Sequence, residues 1–88
     1  MKISFDVNKN AINSAKHGVS LAMAEHIEWD TALIWLDTRR DYGESRIAGL
    51  GYIGTRLYFV VFVDRPKTRR IISLRKANDR EVSHYAGA

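Results

Sequence analysis

With 88 residues the chain has room for one small domain, whose core buries roughly 60–65% of the surface its unfolded form exposes, and no room for a deep cleft between two domains. The absence of cysteine excludes disulfides, a thiolate nucleophile and a zinc knuckle, while 45% hydrophobic content with two Trp, four Tyr and three Phe excludes a disordered chain. The formal charge is +4, the longest apolar run, Leu57 to Val63, is far short of the ~20 residues of a bilayer crossing, and Met1 to Ile12 is too polar for a signal peptide, so a cytoplasmic protein with no membrane role is expected.

Residues 2 to 6 read as a short strand ending at Asp6, a suitable cap for a helix that begins near Val7. Val7, Ala11, Ile12 and Ala15 give that helix a narrow apolar stripe, and Gly18 ends it, with Lys16 and His17 close to its negative pole. Ser20 can cap a second short helix carrying Leu21, Ala24 and Ile27, closing around Trp29 and Asp30. From Leu33 the period changes, and strands are predicted over Leu33 to Asp37, Ser45 to Ile53, Leu57 to Val63 and Arg69 to Arg75. Gly54 and Thr55 predict a type II′ hairpin, and Arg65, Pro66, Lys67 and Thr68 a second turn. Leu57 to Val63 is apolar at every position and so reads as a central strand covered on both faces. Asn78 and Glu81 form a capping box opening a C-terminal helix through Tyr85. The order β, α, α, four strands, α is an α+β fold, a single domain over residues 1–88.

All nine arginines lie between Arg39 and Arg80. Residues 1 to 38 hold three lysines against five acids, a net of −2, and residues 39 to 88 hold eleven basic residues against five acids, a net of +6. Arginine's planar fork fits phosphate and keeps its charge, so this half suggests a polyanion surface with RNA or DNA as first partner. Pairing Ile53 with Arg56, and Asp64 with Arg69, places Gly49, Gly51, Tyr58, Ser73 and Arg75 on one face of the sheet. The other face receives Ala48, Leu50, Leu57, Phe59, Val61, Ile72 and Leu74 as core. On this register the two glycines leave an open floor beside Tyr58 and Arg75 on which a ribose-phosphate can lie.

Phe5 and Asp6, then Lys9, Asn13 and the run Lys16 to Ser20, then Tyr42, Gly43, Glu44 and Arg46, and finally Arg70 to Ala77 follow one another in a familiar order. The series resembles the BrnT family of type II toxin–antitoxin ribonucleases from residue 3 to about residue 85. Two departures are visible: Phe5 stands where many members carry tryptophan, and Leu74 replaces a small residue between Ser73 and Arg75. The resemblance implies a RelE-like fold, with an antiparallel sheet, two N-terminal helices and a short C-terminal helix. It also implies RNA cleavage without metal or cofactor, and inhibition by a BrnA-like ribbon-helix-helix antitoxin through which alone operator DNA is bound.

Arg75 is the first catalytic candidate, because a cation on an open face can hold the scissile phosphate and stabilise its pentacoordinate transition state. Its competing reading is a strand-end arginine paired with Glu81 or Asp79. Glu44 can accept the ribose 2′-hydroxyl proton while Arg46 clamps phosphate, against the reading of a turn acid paired with a neighbouring arginine. His17 can also move protons near neutral pH, or simply complete the helix end with Gly18. Tyr58 can stack on a base, and Lys16, Lys76 and Arg80 are candidate contacts to the RNA backbone. Asp30, Asp37, Asp41 and Glu44 show no spacing that converges on a magnesium ion, and three scattered histidines make no zinc site. A competing function is a non-catalytic nucleic-acid-binding or co-repressor module acting with a DNA-binding partner.

Overall fold

A computed structural model describes residues 2–88. Strand β1 (Ile3–Ser4) leads to helix α1 (Val7–His17), and two 3₁₀ helices follow, Leu21–His26 and Trp29–Thr31. Strands β2 (Leu33–Leu36), β3 (Ile47–Ile53), β4 (Arg56–Asp64) and β5 (Arg69–Lys76) precede helix α2 (Asp79–Ala86). Asp6 caps α1 by accepting from the amides of Asn8 and Lys9, and Gly18 closes it in the left-handed conformation at φ 69°. The capping box of Asn78 and Glu81 is formed on both sides.

The second N-terminal helix is 3₁₀ rather than α-helical. Leu21, Ala24 and Ile27, all buried, recur every third residue, and only a helix with three residues per turn keeps such a series on one line facing the sheet.

The sheet order is β1-β5-β4-β3-β2, so the apolar strand β4 is at the centre as its composition requires. The sheet is mixed and not wholly antiparallel: β1 runs parallel to β5, with Ile3 opposite Arg69 and Ser4 opposite Arg70. The β3–β4 pairing matches expectation, Ile53 opposite Arg56 and Gly51 opposite Tyr58. Gly54 takes φ 61° while Thr55 stays at negative φ, which selects type II′ over type I′.

The β4–β5 pairing starts as expected with Asp64 opposite Arg69 and then shifts. Phe62 faces Ile71 but Val61 faces Ser73, so Ile72 is the extra residue of a β-bulge. Beyond it Val60 pairs with Leu74, Phe59 with Arg75 and Tyr58 with Lys76, which overturns the predicted juxtaposition of Tyr58 with Arg75. The bulge moves Leu74 onto the face of Val60 and Phe62, where α1 and the 3₁₀ helices cover it completely, and moves Arg75 onto the face of Phe59.

The open floor is likewise absent. Gly49, Gly51 and Tyr58 lie on the helix-covered face, where a Cβ on Gly51 would come within 2.7 Å of Ile27 Cγ2. The glycine serves close approach of that cover. The second apolar cluster, Ala48, Leu50, Leu57, Phe59, Val61 and Ala77, lies on the opposite face, with Tyr85 of α2 packed edge-on against Tyr52.

Candidate active site

The loop from β2 to β3 is organised by one carboxylate. The Asp37 amide donates to the Arg46 carbonyl at 2.8 Å, closing the loop at its base. The Asp37 side chain, only 1% exposed, accepts Nε and Nη2 of Arg39 at 2.8 Å each and the Tyr42 hydroxyl at 3.3 Å. The Arg39 hydrogen bonds, outweighing the opposing effect of burial, hold the Asp37 pKa down at about 2. Tyr42, so fixed, carries the Arg46 guanidinium 4.1 Å from its ring centroid and that of Arg40 at 5.9 Å. Arg39 in turn lies 5.4 Å from the Phe59 ring.

These side chains form one wall of a groove of about 530 Å³. Lys16 at the end of α1 faces them, and Val61, Ile72 and Ser73 make the floor. Four cations, Lys16, Arg39, Arg40 and Arg46, thus line a groove to which no carboxylate contributes. Arg40 has no acidic partner among the described residues, whereas Arg39 is tied to Asp37 and Arg46 to Glu44 at 3.3 Å.

His17 borders a smaller cavity that shares Lys16, Ile72 and Ser73 with the groove. Partial burial, reinforced by the charges of Lys16 and Arg75, lowers its pKa below the ordinary 6.5, so the imidazole is neutral at pH 7 and can accept a proton.

Of the residues singled out from sequence, the fold brings together Arg46, Lys16 and His17. Glu44 is held by Arg46 and lies 3.9 Å from Arg65, outside the groove lining. Arg75 makes the pairing that its competing reading described: Nη1 and Nη2 donate to the two Glu81 oxygens at 2.8 Å each, and the guanidinium lies 4.5 Å from the Phe59 ring. Tyr58 and Lys76 are cross-strand partners on the opposite face, and Arg80 is exposed on α2. Sequence reasoning passed over Arg39, Arg40, Tyr42 and the organising role of Asp37. Their available signal was an acid at a strand end followed by two arginines and a tyrosine within five residues. Among the described residues no three His, Asp or Glu side chains cluster as metal ligands, and no helix is long and apolar enough to cross a membrane.

Fold and groove together define a small α+β domain with a groove lined by four cations. Residues 5–81 match the family model described as the ribonuclease toxin BrnT of type II toxin–antitoxin systems, and the chain belongs to that family. Its membership implies an RNA substrate and an antitoxin partner. A search of curated proteins finds no match.

Proposed function

We propose that this chain is an endoribonuclease toxin that cleaves RNA without a metal ion, inhibiting translation and growth, and that the RNA backbone lies in the groove between α1 and the β2–β3 loop. The observation carrying this reading is the convergence of Lys16, Arg39, Arg40 and Arg46 on one groove, with His17 bordering the cavity that adjoins it. Lys16, Arg40 and Arg46 would hold phosphate oxygens and stabilise the charge that builds on the pentacoordinate phosphorus. His17 would take the ribose 2′-hydroxyl proton. The 2′-oxygen then bonds to phosphorus as the bond to the 5′-oxygen breaks, and the 5′-oxygen takes a proton from solvent, leaving a 2′,3′-cyclic phosphate and a 5′-hydroxyl.

On this reading the domain is a RelE-like nuclease. Its partner is a BrnA-like ribbon-helix-helix antitoxin that masks the groove with an acidic or amphipathic segment and brings the complex to operator DNA. Glu44 and Arg75 take part in the reaction only if their ion pairs open when RNA binds. That both are paired favours, to that extent, the second reading of a non-catalytic nucleic-acid-binding module.

Incubating the toxin with RNA in EDTA separates the two. Cleavage that persists and leaves cyclic phosphate ends, and is lost in Arg46→Glu, supports the nuclease. Cleavage that disappears with chelator and returns with magnesium sinks the mechanism, and salt-sensitive binding with no cleavage moves the reading to the second module.

A further inference from the structure

The bulged residue Ile72 and its neighbour Ser73 belong to two cavities at once: the cationic groove on one side and, on the other, a cavity of about 180 Å³ against α1. That smaller space is below the roughly 300–1,000 Å³ of pockets that take drug-sized ligands, and suits a single ring system. Ile12 and Ile72 supply apolar wall. Ile12 is 66% exposed, so its apolar side chain contributes little to the core and is instead available at the cavity mouth.

Asn13 also borders the cavity, but its polar atoms are already used. Nδ2 donates to the Val19 and Leu74 carbonyls at 2.9 and 2.8 Å, and Oδ1 accepts from the Leu74 amide at 3.2 Å. The polar groups left for a ligand are the Ser73 hydroxyl, Lys9, Lys16 and the His17 imidazole.

We propose that this cavity is a base subsite: it takes the unstacked nucleobase of the nucleotide whose 2′-hydroxyl gives up its proton to His17, while the adjoining phosphates run along the groove. The proposal rests on the reading of the groove as the RNA channel. A flat ring between two isoleucine side chains meets apolar surface on its faces, and Ser73 and Lys9 lie at its edge, which is how single-stranded RNA is recognised base by base. The continuity of the two spaces through Lys16, Ile72 and Ser73 is what selects a nucleic acid over an isolated aromatic ligand.

The test uses a short RNA whose cleaved nucleotide is made 2′-deoxy so that it binds without reacting, with each base in turn replaced by an abasic residue. Removing the base 5′ to the cut should weaken wild-type binding by about tenfold, the scale of one stacked base. Ile12→Asp, an exposed substitution whose fold is checked by its melting curve, should bind the intact RNA about tenfold more weakly and the abasic RNA as wild type does. Wild-type binding indifferent to every abasic position, or a base dependence at another nucleotide, overturns the subsite. Arg40→Glu keeps the parent reading separate. If it weakens all these RNAs alike while base removal does nothing, the groove stands and the subsite falls; if base dependence is present but no unmodified RNA is cut, the subsite stands and the nuclease mechanism falls.

Discussion

Asp37 is buried and yet ionised, because Arg39 and Tyr42 return the hydrogen bonds that water would have given it. Its lowered pKa fixes a sign. The carboxylate contributes stability that is fully present above the unfolded value of 3.8 and is lost as the pH falls toward 2, a contribution of about 2 kcal/mol. Asp37→Asn should therefore lower the unfolding free energy at pH 7 by about that amount, measured by urea titration, with the difference from wild type vanishing near pH 2. It should also weaken RNA binding, since Tyr42 and the cations stacked on it lose their anchor.

His17 carries a second pH signature. Its lowered pKa means that the unfolded chain binds more protons just below pH 6.5, so stability rises with pH through that window. On the proposed mechanism kcat/KM should rise with pH and level off below 6.5, and His17→Gln should be slow at every pH with no such limb. A limb at or above 6.5 would point to another base. His17 stands out as a candidate in the sequence because histidine announces its chemistry. Asp37 does not, because its partners are chosen by the closing of a loop at Arg46, which the run of an acid, two arginines and a tyrosine hints at without revealing.

Strand β5 carries the one error of register, and its cause is local. The two turns that bound β4 were correctly read since Gly54 and Pro66 act on their own backbone. Within β5, the core positions Ile71 and Leu74 are three residues apart where an unbroken strand demands an even number, and that interval was the available sign of an extra residue. Deleting Ile72 should thus restore a regular ladder without changing the face of Leu74 or Arg75. The shortened protein is expected to show a wild-type circular dichroism spectrum and to lose at least about tenfold in RNA affinity, because both cavities lose a shared wall. Failure to fold would show the bulge to be a requirement of packing. Asn13 joins α1 to this strand beside the bulge through two hydrogen bonds to the Leu74 backbone, and donates a third to the Val19 carbonyl. Asn13→Ala leaves the buried Leu74 amide and carbonyl without their partner, the Val19 carbonyl keeping the Ser14 hydroxyl, and should cost about 3 kcal/mol by thermal or urea unfolding.

Across the whole molecule the arginines divide into groups that composition alone could not separate. Arg69 sits 4.6 Å from the Trp29 ring and 4.2 Å from that of Phe62 with Asp64 as its partner, a role in packing, and Arg75 ties β5 to Glu81 of α2. Only Arg39, Arg40 and Arg46 reach the groove. The +6 of the second half therefore overstates the binding charge, and RNA affinity should follow the groove: Arg40→Glu is expected to reduce the slope of log affinity against log salt by about 0.7 or more, whereas Arg80→Glu on the exposed face of α2 should leave it nearly unchanged. Equal effects from the two would mean that charge acts diffusely.

The parallel pairing of β1 with β5 has a consequence for biosynthesis. Ile3 waits for Arg69 and Asn13 for Leu74, some sixty positions later in the chain, and contacts so distant in sequence form late. Ile72 and Ser73, the floor of the groove, belong to that same last strand. On the proposed reading, a ribosome making this chain holds an incomplete groove until β5 has emerged, so the nascent chain is expected to be inactive on RNA, and an antitoxin that masks the groove would have nothing to grip before then.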